Sequence, residues 1–322
     1  MNFTTYTNGT TEGYCIIKTL DQKINVKGVP YLDIVLSDSD GEINAKLWDY
    51  KEELHGKYEA GSFVKVRGTL SQYNGADQFR IERIREVTDA DAVDISEFVP
   101  SSEYSGEEML QKIYSYIDSI KDEEMKTLTR AIISDNEKEL LFWPAAFKLH
   151  HAIRGGLLYH TLSIVKLACS VCRIYPSVDR DLLIAGAILH DVCKIDEFDV
   201  NNIGMVKNYS VKGELLGHLV MGAMQIEKKA KELGISSETA MLLEHMVVSH
   251  HGTPEFGAAV RPMFVEAEIL SELDTLDATI YEITNAVSAV SEGEFTARQW
   301  ALDNRKLYNH ARKPSVPKAN LE

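Results

Sequence analysis

The sequence holds only four cysteines, Cys15, Cys169, Cys172 and Cys193, unevenly placed in 322 residues. That is too few for a disulfide framework in a chain of this size, and it fits a reducing compartment. Long hydrophobic runs are also missing: the longest, Leu182 to Leu189, falls far short of the roughly 18 residues that span a bilayer. The polar start MNFTTYTNGT has neither a basic n-region nor an apolar h-region, so a soluble cytoplasmic protein with no membrane partner is expected. Basic residues are outnumbered, 34 against 49 acidic ones, for a formal charge of −15. Net charge therefore does not attract nucleic acid, and any polyanion must be caught by a local basic stripe. There is no internal repeat and no low-complexity tract. With 44% hydrophobic and 26% charged residues the composition is that of a globular protein, which excludes disorder and fibres.

What is present divides in two. The first ninety or so residues carry short apolar alternations, YLDIVLSD, EINAKLWD, SFVKVRGTL and DQFRIERI, separated by Asp40-Gly41, Ala60-Gly61 and Asn74-Gly75. Asn74-Gly75 is the strongest hairpin signal, because both central positions of a type I′ turn need positive φ. Five short strands with one helix-like segment near Tyr50 to Tyr58 suit a barrel of the oligonucleotide/oligosaccharide-binding (OB) type, although periodicity alone fits any small β module equally well. From Glu86 to Gly106 the chain turns acidic and loses its periodicity. Ser105 and Glu108 then form a capping box ahead of Leu110, Ile113, Ile117 and Ile120. Helical spacing follows at 108–120, 122–134, 155–175, 180–193, 212–233, 237–250, 264–291 and 296–308. The expected architecture is α+β and multidomain: a β-barrel at 1–90, a linker at 91–106, an all-α bundle at 107–312 and a tail at 313–322.

Eight of the ten histidines, His150, His151, His160, His190, His218, His245, His250 and His251, fall within residues 150–251. A lone histidine is more often a structural residue than a ligand. Several of these, however, sit in strongly apolar helices. His190-Asp191 closes LLIAGAILHD, where a buried carboxylate costs several kcal/mol unless it is paired or bound to a metal. Imidazole and carboxylate together suit zinc, iron, manganese and similar ions. Asp277 lies one turn after Asp274 and Glu214 one turn before His218, so each pair can supply a ligand and its support. Ligands this far apart in sequence converge only in the core of a helical bundle. Cys169-x-x-Cys172 has no second pair and reads as two small core residues rather than half a zinc site.

The order His160, His190-Asp191, Asp274 resembles the HD-domain superfamily of metal-dependent phosphohydrolases. HHAIRGGLLYHT, YPSVDRDLLIAGAILHDVCK, GELLGH, EHMVVSHHG, EAEILSELDTLDA and GEFTARQWALDNR, behind a barrel of the right length, resemble the YhaM-type 3′-to-5′ exoribonucleases over nearly the whole chain. The resemblance implies a metal set of His160, His190, Asp191 and Asp274, with Asp191 bridging two ions and His218, His250 and His251 as further ligands. It implies Asp191 and Lys194 as catalytic residues, Lys194 meeting phosphate as a point charge. His151 and Arg154 would contact substrate, the bland alternative being helix-terminal surface residues. One departure stands out: Cys193 occupies the position where the family writes glycine, as in HDxGK.

The implied reaction is attack by a metal-activated hydroxide at the 3′ end, releasing nucleoside 5′-monophosphates. Manganese is the implied ion, and the ligand set also permits iron, cobalt or zinc. The barrel would hold single-stranded RNA through Lys65, Arg67, Arg80, Arg83 and Arg85, with Tyr73 and Phe79 as stacking platforms. Core packing is the bland reading of both aromatics and of Trp48. DNA is not separated from RNA. Self-association through the helical domain is compatible with the sequence, and no symmetry follows from it. Two rivals remain: an HD-domain nucleotidase or cyclic-nucleotide phosphodiesterase, and a non-catalytic single-strand-binding protein.

Overall fold

A computed structural model describes residues 10–38, 41–73, 75–147, 151–201 and 203–312, without the side chains of Tyr73 and Asp89. Asn74 of the expected hairpin, His150 and the tail at 313–322 lie outside the described residues, as does the side chain of Tyr73. The chain divides into two compact units, one ending at Ser101 and including Asn201–Met205, the other comprising Ser102–Val200 and the chain from Val206 onward.

The first unit is a closed five-stranded barrel of order β1-β2-β3-β5-β4, with β1 Thr10–Ile24, β2 Pro30–Asp38, β3 Gly41–Leu47, β4 Phe63–Tyr73 and β5 Ala76–Glu86. This is the OB fold. The long β1 pairs with β4 through its first half and with β2 through its second, and the parallel β3–β5 pair closes the barrel. Closure leaves no open edge to recruit another strand. A short helix, α1 Glu52–His55, precedes β4. Alternate residues point inward, so Ile17, Leu32, Ile34, Leu36, Val64, Val66, Phe79 and Ile81 form one core. Phe79 is 0% exposed. Its ring has no face for a nucleic-acid base, so the stacking role expected for Phe79 is corrected to core packing. Val87, Val93, Ile95, Phe98 and Val99 pack around Phe63.

The second unit is built on α2 Gly106–Asp118, α3 Glu123–Asp135, α4 Glu137–Leu140, α5 Gly156–Ile174, α6 Arg180–Leu189, α7 Lys194–Glu197, α8 Val211–Leu233, α9 Ser237–Ser249 and α10 Val265–Ser288. The capping box at Ser105 and Glu108 is formed, and α2 buries Met109, Ile113 and Ile117. Helix α5 is long and apolar enough to cross a membrane by length and composition alone. Its inner face, including His160, is buried, and it packs against α6 and α10. Gly156, at its first turn, has no room for a side chain, since a Cβ there would come within 2.1 Å of the His151 carbonyl oxygen.

Three differences from the sequence expectations have local causes. Helix α6 stops at Leu189, so His190 and Asp191 sit in the turn beyond it. Phe198–Val200 and Val206–Tyr209, not anticipated, form a small antiparallel sheet, β6–β7. The helix expected at 296–308 is absent: Asp303 and Asn304 take left-handed φ of 54° and 56°, and the chain folds back so that Gln299 bridges Arg305 and Phe295 bridges Tyr308.

Candidate metal centre

Helix ends aim the histidines. His190 closes α6 and His250 closes α9, where the last carbonyl oxygens lack helical partners. His190 Nδ1 donates to the Ala187 carbonyl oxygen at 2.8 Å and His250 Nδ1 to that of Val247 at 2.7 Å. A carbonyl oxygen only accepts, so Nδ1 carries the proton and Nε2 keeps its lone pair. His218 is oriented by Glu197, whose carboxylate oxygens both lie 3.0 Å from His218 Nδ1. His160 Nδ1 meets Asp277 Oδ2 at 2.7 Å.

The four Nε2 atoms converge on one carboxylate. Around Asp191 Oδ2 stand His190 at 3.3 Å and His160 at 3.6 Å. Around Oδ1 stand His218 at 3.3 Å and His250 at 3.6 Å. Asp274 Oδ1 lies 3.1 Å from His160 Nε2, and Lys194 Nζ lies 2.6 Å from Asp191 Oδ2. His251 offers a ring nitrogen within 4.8 Å of those of His218 and His250, while its Nδ1 lies 3.0 Å from the Phe256 carbonyl oxygen. The structure thus gathers His160, His190, Asp191, Lys194, His218, His250, His251 and Asp274.

Charge explains the pull toward a cation. Burial opposes ionisation of Asp191, yet the Lys194 ammonium beside it holds its carboxyl well below the usual range. Burial likewise opposes the Lys194 ammonium, and Asp191 more than offsets this. Burial disfavours a charged His160, but Asp274 and Asp277 push it up to about 10. Asp274 is itself held low by His160, Asp277 by His151 and His160, and Glu197 by His218, against the effect of burial. Asp191, Asp274, Asp277 and Glu197 thus bring four carboxylates beside the Lys194 ammonium in a dry pocket. Burial keeps His218, His250 and His251 neutral, with His251 down at about 4, so their lone pairs are available.

The donor set fits a divalent ion on a direct observation. Asp191 Oδ1, His218 Nε2 and His250 Nε2 are buried and have no hydrogen-bond partner. An orphaned buried acceptor costs about 1–3 kcal/mol. Three that face one another are accounted for by a cation, and imidazole with carboxylate and no thiolate suits manganese, iron, cobalt or zinc.

Two supporting carboxylates complete the centre. Asp277 holds His160 and also accepts from His151 Nε2 at 2.9 Å. Glu214, expected to support His218, is exposed, and Glu197 takes that place. The cause is Gly217, whose φ of 69° and ψ of 160° break the helical relation between residues 214 and 218. This backbone region is essentially closed to other residues. Nothing in the spacing around Glu197 marks it, because its partnership depends on that kink. Asp277→Asn is expected to weaken metal binding about 10- to 100-fold, as lost supports of ligand histidines do, with helical content unchanged; isothermal titration with manganese measures it.

The remaining expected site residues are placed as follows. His151 is buried, with its ring 4.1 Å from that of Tyr281, and Arg154 lies over the Phe142 ring. At Cys193 the backbone is an ordinary φ −72°, ψ 0°, so the position has no need of glycine. Its thiol donates to Gln225 Oε1 and is pushed by burial up to about 12, which leaves it unreactive.

On the barrel, Lys65 and Arg67 lie opposite Arg85 and Arg83 across β4–β5, and Arg80 is in register with Lys46 across β3–β5. Lys65 pairs with Glu12 at 2.8 Å. Facing like charges destabilise a sheet, and here Glu12 and Asp91, the latter 2.5 Å from Arg85, offset part of that repulsion. On the β2–β3 side, Tyr31 and Trp48 stack at 4.6 Å with Lys46 Nζ above both rings. Trp48 is half-buried there, outside the core to which the sequence reading consigned it.

Comparison with known proteins finds short matches to solved structures and one match to a family model. A DNA-bound replication protein A heterotrimer matches at 15% identity over 26% of this chain and 62% of that one, with a TM-score of 0.22. The priB protein of Ralstonia solanacearum matches at 15% identity over 26% of this chain and all of its own, with a TM-score of 0.22. The second OB-fold domain of replication protein A from Methanococcus maripaludis matches at 17% identity over 25% of this chain and 84% of its own, with a TM-score of 0.20. Residues 157–279, the segment that carries His160, His190, Asp191, His218, His250, His251 and Asp274, match the family model of the HD domain. Behind its OB-type barrel the chain therefore carries an HD domain, the hallmark of metal-dependent phosphohydrolases.

Proposed function

We propose that this protein is a cytoplasmic 3′-to-5′ exoribonuclease that releases nucleoside 5′-monophosphates from single-stranded RNA, with two divalent ions, manganese first among them. The observation that carries the reading is the division of Asp191: one oxygen faces His160 and His190, the other His218 and His250. Asp274 and His251 extend the two sides. Bound there, divalent ions supply Lewis acidity and activation of water at neutral pH.

The chain's own groups do the positioning. Lys194 presents a buried ammonium beside Asp191 for a non-bridging phosphate oxygen. The Trp143 indole N–H fixes it by donating to the Lys194 carbonyl oxygen at 3.0 Å. Asp277 and Glu197 keep His160 and His218 in one orientation, so little reorganisation accompanies the reaction. The barrel supports a single-strand substrate through the Tyr31–Trp48 stack, with Lys46 and Arg80, and the Lys65, Arg67, Arg83 and Arg85 face. Four free cysteines support a reducing cytoplasm.

A 5′-labelled single-stranded RNA digested with manganese tests the reading. A ladder shortening from the 3′ end, hindered by a 3′-phosphate, is the expected result. RNA left intact with manganese, iron, cobalt and zinc, while mononucleotides are hydrolysed, would replace the exonuclease by a nucleotidase.

A further inference from the structure

A cavity of about 640 Å³ opens within the helical unit beside the metal cluster. That volume is ample for one nucleotide, being inside the roughly 300–1,000 Å³ typical of small-ligand sites. Lys194, His218, His251 and Asp274 line it together with Phe147, Tyr209, Phe256 and Trp300. Phe256 is 77% exposed and Trp300 73% exposed, a costly way to leave two large rings at one cavity mouth.

These rings are held in place. Trp300 begins a short 3-10 turn anchored by the buried Leu302 and by the backbone bridge from Gln299 to Arg305. The Phe256 carbonyl oxygen accepts from His251 Nδ1, which couples that ring's backbone to a candidate ligand. Phe147 meets Tyr209 edge-on at 6.0 Å, and Tyr209 rests on Phe198 at 5.2 Å. Aromatic side chains on anchored backbone next to the Lys194 ammonium suit a flat, uncharged group joined to a phosphate. The described residues lining the cavity include no asparagine, glutamine or arginine; its charged groups, Lys194, Glu197 and Asp274, are engaged in the metal cluster, and its threonines, Thr275 and Thr279, bond to any base alike.

We propose that the base of the 3′-terminal nucleotide stacks in this aromatic slot, with Trp300 as its outer wall, and that the slot accepts any base. This rests on the exonuclease reading and adds to it the means by which the chain end is seated and the reason the enzyme is indifferent to sequence. Stacking on aromatic side chains is sequence-tolerant, because every base has a π-face, and its loss corresponds to about a 5- to 100-fold weakening. The interaction exists before the chemical step, so it acts on KM more than on kcat.

The test compares wild type, Trp300→Ala and Trp300→Phe in the full-length, manganese-loaded protein. The expected result is a kcat/KM about 5- to 100-fold lower for Trp300→Ala, mostly through KM, largely restored by phenylalanine. An RNA ending in an abasic nucleotide should be cut equally by all three. A second readout is independent of RNA cleavage: adenosine 5′-monophosphate should quench tryptophan emission in a Trp48→Phe background, ribose 5-phosphate should not, and that quench should vanish when Trp300→Phe is added. Unchanged kcat/KM together with an unchanged quench overturns the slot, as does a Trp300→Ala defect that persists on the abasic end. A Trp300-dependent quench in a protein that leaves RNA intact keeps the slot and overturns the exonuclease.

Discussion

Asp191→Asn is expected to lower kcat for RNA by at least about a thousandfold, because it removes the one carboxylate shared by both halves of the cluster. Loss of a mere supporting residue costs only about 10- to 100-fold. Either orientation of the amide puts an N–H donor where a lone pair is needed, against Lys194 Nζ on one side or against the Nε2 atoms of His218 and His250 on the other. The shape is preserved, so the fold should persist, yet Lys194 loses its closest counter-charge. Breaking a buried pair costs about 3–5 kcal/mol, and the true figure should fall below that ceiling because Asp274 and Glu197 remain within its field. Kinetics alongside thermal unfolding separate the two effects: a large loss of kcat with a modest fall in Tm is the predicted combination.

Removing the metal should have the second-largest effect. A ligand that binds only the native state adds RT ln(1 + [L]/Kd), about 2.7 kcal/mol at a hundredfold excess over Kd. For a unit of this size, each kcal/mol moves Tm by about 2–4 °C. Exhaustive chelation should therefore abolish hydrolysis and lower the Tm of the helical unit by about 5–10 °C. The barrel, which holds none of the candidate ligands, should unfold at an unchanged temperature. Restoring manganese should recover both activity and Tm, as read by calorimetry.

What could be read from residues alone follows from how locally each feature is determined. Barrel strands show as period-two alternation, and α2 shows through its capping box, because both are written within a few neighbouring residues. His160 and His190-Asp191 stand out because polar residues interrupt apolar helices whose inner faces are otherwise uniform, whereas Asp274 joined them only through the resemblance to the HD-domain superfamily. Glu197 was not visible. Its role arises only after Gly217 kinks α8 and swings His218 toward α7, and helical spacing pointed to Glu214 instead. Phe79 and Trp48 exchanged roles for a similar reason. Alternation fixes which residues share a face, while barrel closure decides which face is inside, leaving Phe79 in the core and Trp48 stacked on Tyr31. At 296–308 the apolar spacing mimicked a helix, but the left-handed pair Asp303-Asn304 turned it into a bridged reversal that presents Trp300.

The most direct measurement is anomalous diffraction at the manganese edge from crystals soaked in manganese. The account predicts two peaks flanking Asp191, one against His160, His190 and Asp274 and the other against His218, His250 and His251. A map with no anomalous peak among these residues, at manganese concentrations that support hydrolysis, would contradict it.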